Sequence, residues 1–243
     1  MKKNNLERID SIINEYDSLV KGIEFAARSS DDRAYGGIIR SSKGKLVELI
    51  SQELVKIAWD EIGGKECELS FSNKRIPIPI NNDYVNKIKS PEIKKWIKTN
   101  IKDFIFNAQV DIHIFVNNNF IAGIECKAFT ENAMLKRILV DFTLLKTVYP
   151  NLKCCLFQLE SQLTGDYSEI NKPIIYGSHS THTLLSYFDV DLNIFTLLEG
   201  ERKVDEPIHK KEFIKPLKKE SLIRTIEKFT GILKNISNNN LNN

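Results

Sequence analysis

The spacing of hydrophobic residues along the chain predicts four substantial helices. In each of them, apolar residues return every three or four positions, which places them along one side of a helix. The four segments span residues 5–27, 45–62, 131–149 and 220–234. Gly63 and Gly64 end the second helix and Pro150 ends the third, which Thr130 is suited to cap at its N-terminus. A shorter, lysine-rich helix is expected to begin at Pro91.

Runs of apolar residues with a period of two, or with no break, predict the strands. Two alternating runs, 110–116 and 120–127, flank the polar residues 117–119, a break typical of a hairpin turn. Residues 152–159 are apolar enough for a strand buried on both faces. Because a helix separates this strand from the hairpin, we expect a right-handed crossover to a parallel neighbour. Further strands are expected at 67–72, 173–176 and 190–198, and the proline-containing segment 76–80 is expected in a loop or at a sheet edge.

The hairpin brings two acidic residues together. If residues 117–119 form the loop, counting back from the turn places Asp111 directly opposite Glu125. Side chains alternate along a strand, so one face of the second strand carries Ile121, Gly123, Glu125 and Lys127. A loop of two or four residues would shift the pairing by one and take Asp111 off this face.

This carboxylate pair suggests a cation site. Cross-strand Cβ atoms lie ~5 Å apart, and like charges placed opposite each other destabilise a hairpin. A divalent cation between the carboxylates reverses the sign of that interaction, because hard cations take carboxylate oxygens. The alternative is a surface hairpin in which Glu125 and Lys127 form a modest ion pair. The apolar setting of these charges, in the run IAGIECKAF, favours the functional interpretation.

Bulk properties narrow the class of protein only slightly. With 243 residues, 42% of them hydrophobic, the chain can bury a real core, and one domain is expected. A net charge of +3 neither requires nor excludes nucleic acid. The four cysteines have no CxxC spacing, so we expect free thiols in a cytoplasmic protein. No stretch suggests a signal peptide or a membrane span.

Familiar nucleotide and hydrolase motifs are missing from the sequence. There is no GxGxxG, no GxxxxGK[ST] and no GxSxG, so a nucleotide cofactor is not expected. The second helix carries Glu48 on a stripe with Gln52, Val55 and Trp59, an uncommon place for a carboxylate. Its simplest role is a helix-surface charge paired with Lys45 or Gln52.

The remaining pattern is Asp111, thirteen intervening residues, and then Glu125-Cys126-Lys127 on a second strand, followed by a helix and a buried strand. This pattern resembles the PD-(D/E)XK nuclease superfamily, and most closely its type II restriction endonucleases. The resemblance covers residues 45–159, about half the chain. Val110 stands where the motif has proline, its most dispensable letter.

The resemblance implies a chemistry for each matching residue. Asp111, Glu125 and the backbone carbonyl of Cys126 would hold Mg²⁺, and Lys127 would position or activate the attacking water. Glu48 holds the place of a helical glutamate that often completes the site. The implied substrate is double-stranded DNA, cut to leave 5′-phosphate ends. The basic residues expected to contact phosphates are Arg33, Arg40, Lys43, Lys45, Lys136 and Arg137.

The implied fold is α/β, a restriction-endonuclease-like mixed sheet flanked by helices, with helical additions at both ends. We expect a single nuclease domain over 1–243, built from four parts. These are a helical extension at 1–40, a catalytic core at 45–160, a strand and helix at 173–235, and a disordered tail at 236–243.

A sequence-specific restriction enzyme is the main functional prediction. It would act as a homodimer, because palindromic sites match two-fold symmetry. A repair or recombination nuclease that recognises DNA structure is the second possibility, and a DNA-binding protein without catalysis is the third. The intact set of Asp111, Glu125 and Lys127 argues against the third.

Overall fold

A computed structural model describes residues 1–28, 33–165, 167, 177–203, 205, 206 and 213–240; for 21, 23–28, 33–43 and 235–240 it describes the backbone alone. The helices of this part of the chain are α1 (Lys3–Arg28), α2 (Arg33–Glu61), α3 (Asn82–Lys87), α4 (Pro91–Thr99), α5 (Asn132–Val148), α6 (His179–Ser186) and α7 (Lys219–Asn240). The strands are β1 (Leu69–Ser72), β2 (Ile76–Pro79), β3 (Ile105–Ala108), β4 (Ile112–Val116), β5 (Asn119–Thr130), β6 (Lys153–Ser161) and β7 (Leu192–Thr196).

A five-stranded mixed sheet forms the centre of the molecule. Its strand order is β1-β4-β5-β6-β7. The pairs β1–β4 and β4–β5 are antiparallel, whereas β5–β6 and β6–β7 are parallel. Strands β2 and β3 form a separate antiparallel pair. The expected α/β class with a mixed sheet is therefore confirmed, and so is the parallel crossover from β5 through α5 to β6.

Two hydrophobic cores cover the two faces of this sheet. On one face, α1, α2 and α7 pack against side chains such as Ile112, Ile124 and Phe157. On the other face, α5, α6 and the β2–β3 pair pack against side chains such as Cys154 and Leu156. The five α5 residues that point into this second core are Leu135, Ile138, Leu139, Phe142 and Leu145, the same five that its helical period predicts.

The hairpin between β4 and β5 has the expected alignment of its strands, but its turn differs from the predicted one. The turn has two residues, because Val116 pairs with Asn119. Asn117 and Asn118 both adopt positive φ angles, +48° and +64°. The tight two-residue turns whose twist matches that of the flanking strands require such angles. The predicted three-residue loop is therefore wrong. Asparagine tolerates the left-handed region, and this allowed the shorter turn.

A β-bulge then restores the alignment that the short turn would have lost. Phe115 pairs with Phe120, but Ile114 pairs with Ala122, so Ile121 is an extra residue on β5. Both Ile121 and Ala122 pack into the core beneath α2. The prediction that Ile121 shares a face with Glu125 is therefore wrong, because the bulge turns its side chain to the opposite side.

Several helix boundaries also differ from the prediction. Helix α2 begins at Arg33 and not at residue 45 as predicted, so residues 33–44 are helical as well. Helix α7 continues to Asn240, so the predicted disordered tail at 236–243 is wrong for 236–240. An established helix gains a hydrogen bond for each added residue, which lets it extend into weak helix formers. Residues 241–243 lie outside the described part of the chain.

Smaller differences concern caps and short elements. Thr130 is the last residue of β5, and Glu131 takes the N-cap position of α5, so the predicted cap is wrong by one residue. Helix α3 and strand β3 were not predicted. The strand predicted at 173–176 falls outside the described residues. All four cysteines are free, as expected. Among the described helices, none is long and apolar enough to cross a membrane.

The two-residue turn leads to a prediction about stability. Asn118→Ala should lower the free energy of unfolding by about 1 kcal/mol, because alanine lacks the side-chain hydrogen bonds that help asparagine tolerate a left-handed backbone. Asn118→Gly should be neutral or stabilising. Urea unfolding followed by circular dichroism measures both changes. Asn119→Ala, at the extended first residue of β5, is the matched control and should change stability by less than about 0.5 kcal/mol. Equal losses at the two positions would contradict the turn assignment.

Candidate active site

The candidate site lies where β4 begins beside the middle of β5. Ile112 pairs with Ile124 in the antiparallel ladder, so the next pair outward is Asp111 and Glu125. The buried strand β5 carries Glu125, whose side chain is 9% exposed, and the Asp111 side chain is 33% exposed. The carboxylate pair expected from the sequence is therefore present, and one of its members is almost completely withdrawn from water.

Lys127 joins the two carboxylates. Its ammonium donates to Asp111 Oδ2 at 3.1 Å, to Glu125 Oε2, and to the backbone carbonyl oxygen of Cys126 at 3.2 Å. The Cys126 N–H also donates to Asp111 Oδ2, at 2.7 Å. One positive group thus offsets the repulsion between two carboxylates that face each other across the strands.

Burial and charge shift the acid–base properties of this cluster. Burial raises the pKa of Glu125 to about 7, and repulsion from Asp111 adds to this rise while Lys127 opposes it. The pKa of Lys127 is also raised: burial lowers it, but the attraction of Glu125 and Asp111 outweighs burial. Near neutral pH the lysine is therefore charged, and the Glu125 carboxyl lies close to the midpoint of its titration.

A third carboxylate, Asp141 of α5, contributes to the field at the site. Burial raises its pKa, while the positive charges of Arg137 and Lys127 lower it. Asp141 in turn helps to raise the pKa of Glu125. Sequence reasoning missed Asp141, because it occupies an ordinary polar position of an amphipathic helix. The spacing from Arg137, to which it is paired at 3.8 Å, indicates only a helix-surface contact.

His113 is a second residue near the site whose role was not predicted from the sequence. Its side chain is buried, and burial lowers its pKa, so the imidazole is neutral. Its Nε2 accepts a hydrogen bond from the Val110 N–H at 3.5 Å, and its ring packs against Phe120. These contacts fix the backbone immediately before Asp111. An isolated histidine within an alternating strand gave no signal for this role.

Glu48 belongs to α2 and lies on the side of the sheet that this helix covers. Its carboxylate forms an ion pair with Lys45 at 2.8 Å, and this hydrogen bond raises the pKa of Lys45. The Cys126 side chain points toward the same helix, with Sγ 3.8 Å from Ser51 Oγ, and the charges of Glu48 and Asp111 both act on its thiol. Glu48 is thus near the site. Within the described residues, however, no group of three or more His, Cys, Asp and Glu side chains is arranged to hold a metal.

The basic residues proposed for DNA contact fall into two groups. Lys136 and Arg137 are exposed on the first turns of α5, which follows directly after β5. Lys45 is exposed on α2. Arg33, Arg40 and Lys43 lie on the first part of α2, where the backbone alone is described. The DNA contacts of both groups remain predictions.

Comparisons with known proteins show to which family of proteins the chain belongs. No family model matches the chain, and no solved structure matches it. Among curated proteins, a relative is 54% identical over 228 residues, and the match covers 91% of this chain and 94% of the relative. At that identity and coverage, the chain belongs to the type II restriction enzymes. The relative is Type II restriction enzyme DdeI from Desulfomicrobium norvegicum (strain DSM 1741 / NCIMB 8310).

This relationship confirms the predicted enzyme class. The chain is a site-specific deoxyribonuclease that hydrolyses phosphodiester bonds, and DNA is its partner. A repair nuclease and a binding protein without catalysis are both less consistent with a relative of this kind. Membership of the PD-(D/E)XK superfamily remains an inference from the motif.

The raised pKa of Glu125 leads to a prediction about pH. Between pH 4.5, the ordinary glutamate value, and about 7, the folded state binds more protons than the unfolded state. Stability in EDTA should therefore fall as the pH rises through this window. Glu125→Gln should remove roughly 2–3 kcal/mol of that fall, because each pKa unit corresponds to about 1.4 kcal/mol.

Chemical denaturation at pH 5 and at pH 7.5 measures this difference. Glu66→Gln, which alters an exposed carboxylate, is the control and should follow the wild-type curve. A Glu125→Gln protein with the same pH dependence as wild type would show that burial does not raise this pKa.

Proposed function

We propose that the chain cleaves double-stranded DNA with Mg²⁺ held by Asp111, Glu125 and the Cys126 carbonyl, and with water positioned by Lys127. The observation that supports this most directly is the position of the Lys127 ammonium, which contacts one oxygen from each of those three residues. A cation therefore already has a favourable place among these oxygens.

The donor set suits the proposed metal. Mg²⁺ prefers oxygen ligands and is usually held by one or two carboxylates, with water and substrate oxygens completing its shell. Asp111 and Glu125 supply two carboxylates and Cys126 a carbonyl. When bound, Mg²⁺ would supply Lewis-acid stabilisation of the phosphoryl charge and make bound water more acidic.

The protein residues contribute positioning and charge. The Cys126 N–H holds Asp111 in place, and the β5 backbone fixes Glu125 and Lys127 on one face. Lys127, with its ammonium near the two carboxylates, would donate a hydrogen bond to the attacking water and orient it. To accept the proton of that water instead, the ammonium would first have to release its own proton. Its positive charge would also stabilise the phosphoryl oxygens as negative charge develops on them.

The remaining assignments complete the proposal. Glu48 would assist from the α2 side, directly or through water. The basic residues Arg33, Arg40, Lys43, Lys45, Lys136 and Arg137 would hold the phosphate backbone. A homodimer would present two such sites to a palindromic target, and cleavage would leave 5′-phosphate ends. The cytoplasm is the compartment that the free cysteines fit.

Plasmid and phage DNA cleavage tests the catalytic assignment. Wild-type protein should give discrete fragments with Mg²⁺ and none with EDTA. Asp111→Ala and Lys127→Ala should each reduce the cleavage rate by about 10²-fold or more, because each removes a charge that acts on the reacting groups.

The control for cleavage is Asp83→Ala, which removes an exposed carboxylate from α3 and should leave the fragments unchanged. Circular dichroism checks that every variant is folded. Full cleavage by a folded Asp111→Ala protein would refute the proposed site, even though the enzyme class would stand.

The phosphate contacts proposed on α5 lead to a separate test. In an Asp111→Ala background, Lys136→Ala should weaken binding to a DNA fragment that wild type cleaves. It should also make the plot of log affinity against log salt shallower by about one unit, because one phosphate contact is lost. Fluorescence anisotropy measures both quantities. Lys3→Ala, an exposed lysine at the start of α1, is the control, and an equal effect at both positions would contradict the assignment.

A further inference from the structure

The Lys127 ammonium lies where the proposed metal would have to bind. Its three hydrogen bonds use one oxygen each from Asp111, Glu125 and Cys126, the three residues that would hold Mg²⁺. An ammonium centred among these three groups would repel a metal ion held by the same groups, since both are positive. Metal binding therefore requires the ammonium to move.

A displaced ammonium that stays partly buried needs a new acceptor. The Lys127 side chain is only 30% exposed, and a charged donor without a partner in such a place costs a substantial free energy. The question is therefore which acceptor within reach of a lysine side chain is not already used.

Gln158 provides such an acceptor on the adjacent strand. It pairs directly with Lys127 in the parallel ladder between β5 and β6, so both side chains project from the same face of the sheet. The Gln158 side chain is fully buried. Its Nε2 donates to Thr196 Oγ1 at 2.9 Å. Within the described part of the chain, its Oε1 is buried and has no hydrogen-bond partner.

The topology determines the side from which this oxygen is approached. Thr196 belongs to β7, and β5 and β7 flank β6 on opposite sides. With the amide nitrogen directed to β7, Oε1 is left for a donor from the β5 side. A buried acceptor without a partner is rare in folded proteins and calls for a physical explanation.

We propose that Gln158 is a positioning residue for Lys127: when a divalent cation takes the oxygens of Asp111, Glu125 and Cys126, the ammonium moves to Gln158 Oε1. This inference rests on the proposed function, because it requires the metal to bind at that place. In the metal-free protein, Lys127 acts as the counter-ion that keeps the two carboxylates together. In the metal-bound protein, Gln158 holds the lysine beside the reacting groups and away from bulk water.

Mg²⁺ binding to the DNA-free protein tests this inference without any cleavage. Isothermal titration calorimetry gives the affinity for wild type, Lys127→Met, Gln158→Met and the double variant. Methionine keeps the approximate length of each side chain and removes the charge or the acceptor. Lys127→Met should bind Mg²⁺ about 10-fold more tightly, because no ammonium competes for the oxygens. Gln158→Met should bind it about 10-fold more weakly, because the displaced ammonium has no acceptor.

The double variant separates a positioning role from a merely structural one. If Gln158 acts through Lys127, the Gln158→Met change should have no effect on Mg²⁺ affinity once Lys127 is methionine. If Gln158 only supports the fold, the loss should be the same in both backgrounds, and the inference fails. Thr130→Val removes another buried oxygen without a partner among the described residues and is the control, with unchanged affinity expected.

The same titration distinguishes failure of this inference from failure of the proposed site. If Mg²⁺ binds wild type and Asp111→Ala equally, the proposed metal site is wrong and the inference falls with it. If binding depends on Asp111 but Lys127→Met leaves it unchanged or weakens it, the metal site stands and the exchange of lysine for metal is refuted. Thermal unfolding in EDTA shows whether each variant is folded before titration.

Discussion

The proposed active site depends on two carboxylates being held side by side on neighbouring strands. Asp111 and Glu125 repel each other, and burial of Glu125 increases the cost of its charge. Lys127 offsets this cost with one ammonium that contacts both side chains. Repulsion between the two carboxylates persists in this arrangement, which would favour the binding of a second cation, as proposed for Mg²⁺.

The rest of the fold keeps this arrangement rigid. Strand β5 lies in the middle of the sheet, between β4 and β6, and cores on both faces bury its side chains. The antiparallel side of β5 brings Asp111, and the parallel side brings Gln158. Helix α5, which connects β5 to β6, adds Asp141 to the field and presents Lys136 and Arg137 to solvent. A mixed sheet can therefore gather groups that are far apart in the chain.

The sequence allowed prediction of those features that depend on local pattern. The five inward residues of α5 and the apolar strand β6 follow from periodicity, and the parallel crossover follows from their order. The pairing of Asp111 with Glu125 was expected from a loop length that proved wrong. The bulge at Ile121 corrects it, and a bulge depends on how Ile121 packs into the core rather than on its neighbours in sequence. Asp141 and Gln158 were missed because each looks ordinary until the crossover brings it near Lys127.

The bulge also has a consequence for how this hairpin can evolve. The short turn and the extra residue Ile121 shift the alignment of β4 and β5 in opposite directions, and only their combination leaves Asp111 beside Glu125. An insertion or deletion at the turn alone, or at the bulge alone, would separate the two carboxylates. An insertion at one of these places combined with an equal deletion at the other would not. Gaps in this hairpin should therefore occur in compensating pairs among active relatives, so that the thirteen residues between the aspartate and the glutamate keep their number while their division between turn and bulge changes.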